Sequence, residues 1–132
     1  MKRVMEIAEA VVEDLAEYGA VLELAPEYTL KEAKALRVVV VPIGVEHHLL
    51  SRGHREDDYK VQVGVLKKAT EDELEELVGK VETIATGLLE KTLAGALCHK
   101  AEHAPLFVPD HLKERRQFTS VIELTFKEIV RT

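Results

Sequence analysis

The chain of 132 residues has little of several residue types on which common folds and enzymes depend. It contains a single cysteine, Cys98, so an intrachain disulfide and a four-cysteine zinc site are both excluded. Its seven glycines are scattered, and neither a dinucleotide-binding fingerprint nor a P-loop can be built from them. No serine lies in a nucleophile elbow. The uncharged stretch 38–45 is far too short to span a bilayer.

The amino-acid composition predicts one soluble globular domain over residues 1–132. Apolar residues make up 46% and charged residues 32% of the chain. The 18 Lys plus Arg against 24 Asp plus Glu give a net charge of −6, which argues against general binding of nucleic acid or of an anionic membrane. Lys2 and Arg3 are soon followed by Glu6 and Glu9, so we expect no signal peptide.

Hydrophobic periodicity predicts an α+β fold. Apolar residues at helical spacing predict a helix over 4–18 that ends at Gly19, and a second that follows a Thr70–Glu73 capping box and runs to about residue 93, with Gly95 as its terminator. Strands are predicted at 21–25, 37–43, 59–66 and 118–129, with a short helix over 29–34. The order α-β-β-β-α-β predicts one mostly antiparallel four-stranded sheet against two helices, and the polar residues 44–58 predict a long hairpin loop with a mobile tip.

One segment matches a metallopeptidase pattern. His99, Glu102 and His103 satisfy the H-x-x-E-H spacing, which on a helix would place two zinc ligands and a base on one face. The segment lies between Gly95 and Pro105, which leaves barely two turns of helix, and few residues remain to supply a third ligand. We therefore interpret it as a polar surface turn. Cys98 and His99 are adjacent, and neighbouring side chains seldom face each other, so they are weak candidates for a thiol nucleophile.

The polar loop carries the most concentrated set of ionisable residues. A metal site is conceivable among His47, His48, His54, Glu46, Glu56, Asp57 and Asp58, but their spacing matches no known motif, and we favour a solvated loop. Charges of both signs at close spacing suit pairing between subunits, with simple solubility as the alternative. We assign no catalytic, cofactor-binding or metal-binding residue. The candidate interaction residues are Arg52, His54, Arg55, Glu56, Asp57, Asp58, Arg115 and Arg116.

The ordered set of elements resembles a known family. After the first helix come Leu-Arg-Val-Val-Val-Val-Pro at 36–42, Ser-Arg-Gly at 51–53, Tyr-Lys-Val-Gln-Val-Gly-Val at 59–65, a long helix, and Phe-Thr-Ser-Val-Ile-Glu-Leu-Thr-Phe at 118–126. Over nearly the whole chain this order is similar to that of the tail terminator, or tail completion, proteins of lambda-type long-tailed bacteriophages.

The resemblance implies a structural role in a virion that is assembled in the host cytoplasm. Such proteins form a ring, usually of six subunits, that caps the tail tube, ends its polymerisation and joins the tail to the head. The expected partners are further copies of the chain, the tail tube protein and neck proteins, with DNA passing through the lumen without specific binding and with no membrane, cofactor or enzymatic activity. The alternatives are a head-side adaptor or stopper, a cellular binding module, and a small metal-dependent hydrolase that uses the H-x-x-E-H segment.

Overall fold

A computed structural model describes residues 2–24 and 35–131 of the chain. The predicted helix over 29–34 lies outside these residues. The elements, in chain order, are α1 (Lys2–Asp14), β1 (Val21–Leu22), β2 (Arg37–Ser51), β3 (His54–Lys68), α2 (Leu74–Leu88), β4 (Thr92–Leu93), β5 (Ala96–Glu102), α3 (Pro109–Arg115) and β6 (Gln117–Arg131). The α+β class is therefore as the sequence predicted.

The sheet is larger than the sequence predicted. In the described part of the chain it has six strands in the order β1-β2-β3-β6-β5-β4, and three α-helices accompany it, where four strands and two helices were expected. The sheet is mixed, because β1 pairs with β2 in parallel while the other neighbours are antiparallel. β1 has only two residues, so the strand predicted over 21–25 is present but shorter than expected.

Three strands of 15 residues each, β2, β3 and β6, form the centre of the sheet. β2 and β3 are joined by a tight turn, with Ser51 paired to His54 and Gly53 at a φ of 86°. The prediction of a long loop over 44–58 was wrong, because these residues continue both strands. β3 lies between β2 and β6 and pairs with β6 as far as His54 and Arg131. The backbone hydrogen bonds to both neighbours therefore hold residues 54–58 in the sheet, although these residues have no apolar face.

The hydrophobic core lies between the helices and one face of the sheet. α1 contributes Ile7 and Val11, and α2 contributes Val81 and Leu88. The facing residues alternate along the strands, as a half-buried sheet requires; they are Val38, Val40, Tyr59, Val61, Val63, Val65, Cys98, Phe118, Ile122, Leu124 and Phe126. The valine run is buried within this one chain, because Val39 and Val41 pack with Leu66 on the opposite face.

Two predicted features around α2 were wrong. The helix ends at Leu88, and the chain then forms the β4–β5 hairpin, whose two turn residues Ala94 and Gly95 both have positive φ. Gly95 therefore closes a hairpin turn of the kind that twisted strands favour, and it does not terminate a helix. Before α2, Thr70 makes no side-chain capping bond, and the Glu73 carboxylate instead accepts a hydrogen bond from Lys67 Nζ at 2.6 Å.

None of the helices in the described ranges is both long and apolar enough to cross a membrane.

Candidate functional site

The distal hairpin, residues 44–58, extends past the buried part of the sheet. All of β2 is described, and along it no residue after Val41 is buried. On β6 the residues after Phe126 are likewise half-buried or exposed. Side chains alternate between the two faces of a strand, so the ionisable residues of this segment separate into a helix-side set and an open-side set.

The helix-side set is a network that joins the hairpin to the first turn of α1. Asp57 is buried and accepts hydrogen bonds from Arg55 Nε at 3.0 Å and from His47 Nδ1 at 2.5 Å. Tyr59 donates its hydroxyl proton to Glu128 Oε1 at 2.7 Å. Arg3 donates to both oxygens of the same carboxylate, at 3.0 and 2.8 Å. The network therefore pairs its charges and ties the amino-terminal helix to β3 and β6.

The hydrogen bonds and charges of this network change the pKa values of three of its residues. The Arg3 hydrogen bond, with a further one from Tyr59, outweighs burial and holds the pKa of Glu128 below its usual value. Burial raises the pKa of Asp57, but the hydrogen bonds from Arg55 and His47 together outweigh it and leave that pKa below its usual value. Burial and the neighbouring Glu128 raise the pKa of Tyr59 to about 12. At neutral pH both carboxylates are ionised and the phenol is neutral.

The open-side set contains His48 on β2 and Glu56 and Asp58 on β3. His48 lies directly opposite Glu56 in the register, and Asp58 is two residues further along the same face. Each of the three offers a ligand atom, and these atoms lie within 4.8 Å of one another. His48 Nε2 is 3.2 Å from Asp58 Oδ2 and 3.5 Å from Glu46 Oε1. This is the set of described residues whose chemistry fits a metal ion.

The sequence-predicted interaction residues do not form one patch. Arg52 and His54 are exposed at the turn, whereas Arg55 is engaged with Asp57 on the helix side. Glu56 and Asp58 face the open side, away from Asp57. A sequence-based prediction could not separate them, because the segment was expected to be a loop and a loop has no alternation of faces.

Arg115 and Arg116 lie at the opposite end of the sheet from the hairpin turn. Arg116 caps the end of α3 with a φ of 50°, and both arginines are exposed. Their backbone carbonyls accept hydrogen bonds from Lys68 Nζ and from the Ala69 amide. Within the described chain neither guanidinium has an ion-pair partner, so both charges are available to another molecule.

The H-x-x-E-H segment lies mostly on strand β5, so its prediction as a surface turn was wrong. In a strand, His99 and His103 are not one helical turn apart, and among the described residues only His48, Glu56 and Asp58 bring three ligand atoms together. Cys98 on the same strand is fully buried, and burial raises the pKa of its thiol to about 11. A protonated, inaccessible thiol is a poor nucleophile.

The apolar residues of the turn region were missed by sequence reasoning. Leu49 is 82% exposed, Leu50 50% and Ile129, on the neighbouring β6, 64%. Leu50 lies where the β2–β3 register shifts, and Ile43, at the other shift, is exposed as well. The available signal was the Leu49–Leu50 pair itself, an apolar dipeptide within an otherwise polar segment. Leu49 is opposite Arg55, on the helix side, and Ile129 is opposite Glu56, on the open side, so apolar side chains are exposed on both faces of this end of the sheet.

No protein-family model matches the chain, and no curated protein sequence matches it. The candidate site is therefore defined by the geometry and chemistry of its own residues.

Proposed function

We propose that the chain is a non-enzymatic virion protein that assembles into a ring, caps the tail tube of a long-tailed phage and provides the surface that joins tail to head. The family resemblance of the sequence suggested this role. The observation that carries it is the distal hairpin, whose β3 strand remains paired to β6 and whose β2 strand exposes Leu49 and Leu50 beyond its buried part. An isolated soluble chain gains nothing from such exposure, whereas an assembling subunit buries it.

The two ends of the sheet provide two different surfaces, as a ring requires. A ring is built from heterologous contacts, in which one patch of a subunit meets a different patch of the next. Here the Leu49–Leu50 end and the Arg115–Arg116 end are separated by the length of a 15-residue strand, about 50 Å. In the proposed ring the distal hairpin of one subunit lies against the Arg115–Arg116 end of its neighbour.

The charge of the chain suits a conduit for DNA. With a net charge of −6, a ring of several copies carries a strongly negative field. A negative wall repels the phosphate backbone and lets the duplex pass without being retained. This role includes no catalysis, in keeping with the buried Cys98 thiol and with the separation of the H-x-x-E-H residues along a strand.

The experiment that tests the proposal changes the apolar end of the hairpin. We expect Leu49→Glu to leave the chain folded, because an exposed substitution changes stability by only about 0.5 kcal/mol. The same substitution should abolish ring formation and the capping of tail tubes, since it places a charge in the contact that association must desolvate. Sedimentation of concentrated protein and electron microscopy of added tail tubes measure the two effects.

Leu106→Glu is the matched control, because Leu106 is also exposed and lies in the segment before α3, outside the distal hairpin. It should assemble as the unaltered chain does. If Leu49→Glu also assembles and caps normally, the hairpin is not the interface. Arg52→Glu is a useful second variant; Arg55 is avoided because it pairs with Asp57.

The head-side alternative predicts a different partner for the same ring. A terminator should pull down tail tube protein, whereas an adaptor or stopper should pull down portal-side proteins. Leu49→Glu should weaken the capture in either case, because both roles use the assembled ring.

A further inference from the structure

The open side of the distal hairpin places an imidazole between carboxylates. His48 Nε2 faces Asp58 Oδ2 at 3.2 Å and Glu46 Oε1 at 3.5 Å, with Glu56 directly opposite His48 on β3. A neutral imidazole nitrogen that turns its lone pair toward two carboxylates is repelled by both. The arrangement is favourable when Nε2 carries the proton of the imidazole, or when a metal ion takes the place of that proton between the groups.

Two of the distances around His48 are close to those between ligands of one metal ion. Zinc bonds to histidine nitrogen and carboxylate oxygen are about 2.0–2.2 Å long, so two ligands of a tetrahedral ion are about 3.3–3.5 Å apart. The separations from His48 Nε2 to Asp58 and to Glu46 match this spacing. The Glu56 ligand atom lies within the same 4.8 Å group, so a third ligand is available without moving the backbone.

A second observation concerns the other oxygen of the Asp58 carboxylate, the one that faces His99 and not His48. Asp58 Oδ1 is buried and accepts no hydrogen bond from the described residues, and its side chain is only 13% exposed. The nearest cation-forming group is His99 Nε2 on β5, at 3.9 Å, which is too long for a hydrogen bond. A buried carboxylate oxygen without a partner is costly, and a bound cation on this carboxylate would offset the cost.

We propose that His48, Glu56 and Asp58 bind one divalent transition-metal ion of the zinc class. A mixed imidazole and carboxylate set suits zinc and its neighbours, whereas Mg²⁺ and Ca²⁺ take oxygen ligands. Glu46 lies within reach as a fourth ligand, with its Oε1 3.5 Å from His48 Nε2. The ion would link β2 to β3 in the half of the hairpin where no residue of β2 is buried.

The positive charge of Lys127, on the neighbouring strand β6, opposes metal binding at Asp58. Lys127 on β6 is the register partner of Asp58, yet among the described residues the two form no ion pair. Its ammonium group repels a metal ion bound to Asp58, so Lys127→Ala should tighten binding several-fold. The metal site is independent of the proposed ring, because it is formed entirely within one chain.

Calorimetric titration of protein without a histidine tag with ZnCl₂ tests the site. We expect one ion per chain, with binding at least tenfold weaker in His48→Ala and in Asp58→Asn. His54→Ala is the matched control, since His54 is exposed at the same hairpin turn but outside the cluster, and it should bind as the unaltered chain does. Circular dichroism on each variant confirms that it is folded.

Three results would overturn the proposal. They are the absence of stoichiometric zinc binding, zinc affinity in the His48 and Asp58 variants as high as in the unaltered chain, and a loss of affinity in His54→Ala as large as in those two variants. Mg²⁺ binding as tight as zinc binding would also contradict it, because it would mean that the imidazole is not a ligand. The ¹⁵N shift of His48 Nε2 provides a readout without substitution. It should move on zinc addition, and a shift that stays constant as zinc is added would contradict the proposal.

Discussion

Individual residues around Tyr59 show how a polar group is accommodated next to the core. Tyr59 is buried, and its hydroxyl donates to Glu128, which also accepts two hydrogen bonds from Arg3. The Arg3 guanidinium lies 5.9 Å from the centre of the Tyr59 ring, which adds a cation–π contact. These residues join α1, β3 and β6, so the network holds the helix where the sheet begins to lose its buried face.

Glu128→Gln tests the contribution of this network. Because it removes the charge that Arg3 and Tyr59 share, we expect the free energy of unfolding at pH 7 to fall by about 1–3 kcal/mol. The pKa of Glu128 is lowered in the folded state, so its contribution is present above the unfolded pKa of about 4.3 and is lost as the pH falls through the folded pKa. Urea unfolding should therefore show that the difference in free energy of unfolding between Glu128→Gln and the unaltered chain becomes smaller below about pH 4.

Glu123→Gln is the control for that measurement. Glu123 is on the same strand, β6, but it is exposed and lies 3.8 Å from Lys60, so its replacement should change stability by less than about 0.5 kcal/mol. A Glu128 variant with the same small effect would show that the Arg3–Glu128 pair adds no stability. A loss of stability that is the same at pH 3 and at pH 7 would show that the charge of Glu128 is not its source.

At the scale of elements, two glycines illustrate how the same residue has opposite roles. Gly95 has a φ of 84° in the β4–β5 turn, a conformation that side-chain-bearing residues adopt only with strain. Gly79 lies in the exposed interior of α2, where a Cβ added to it would meet no atom within 4 Å and no positive φ is needed. Glycine is required at the first position and weakens the helix at the second.

Substitution of each glycine by alanine should therefore change stability in opposite directions. We expect Gly95→Ala to lower the free energy of unfolding by about 1 kcal/mol and Gly79→Ala to raise it by about 0.5–1 kcal/mol. Thermal unfolding of the two variants beside the unaltered chain gives both signs in one experiment. Destabilisation by Gly79→Ala would mean that α2 needs its glycine, and a neutral Gly95→Ala would mean that the turn tolerates a side chain.

Elements with a clear apolar period could be predicted, and those defined by backbone pairing could not. The stripe of α1 and the alternation in β3 and β6 arise from burial on one face, so the sequence displays them directly. The β3 residues of the distal hairpin, at 54–58, are polar on both faces, and their pairing to β6 comes from the fold. Leu89 and Leu93 continue the helical spacing of apolar residues in α2. The sequence therefore predicted a longer helix where the β4–β5 hairpin begins.

The candidate site also depends on strand pairing that the sequence alone does not show. The sequence indicated that His48, Glu56 and Asp58 lie in one polar segment, but their proximity depends on the β2–β3 register. His99 is distant in sequence and reaches Asp58 only because β5 lies on the far side of β6. Leu49 and Leu50 were visible in the sequence, yet their exposure depends on their place at the end of β2, next to the β2–β3 turn.

At the scale of the whole molecule, the long sheet separates two exposed ends. The helices and the buried strand segments hold the fold, the distal hairpin exposes Leu49 and Leu50, and the Arg115–Arg116 end exposes positive charge. This division is suited to a subunit that folds alone and then joins copies of itself through two unlike surfaces.

The central claim, that the chain forms a ring on a tail tube, is tested most directly by negative-stain electron microscopy of concentrated untagged protein, alone and with tail tubes. We predict closed rings whose pore admits duplex DNA, about 20 Å or wider, or rings that form as caps on the tube ends. Particles without closed rings, together with tubes that remain uncapped and continue to grow, would contradict the account.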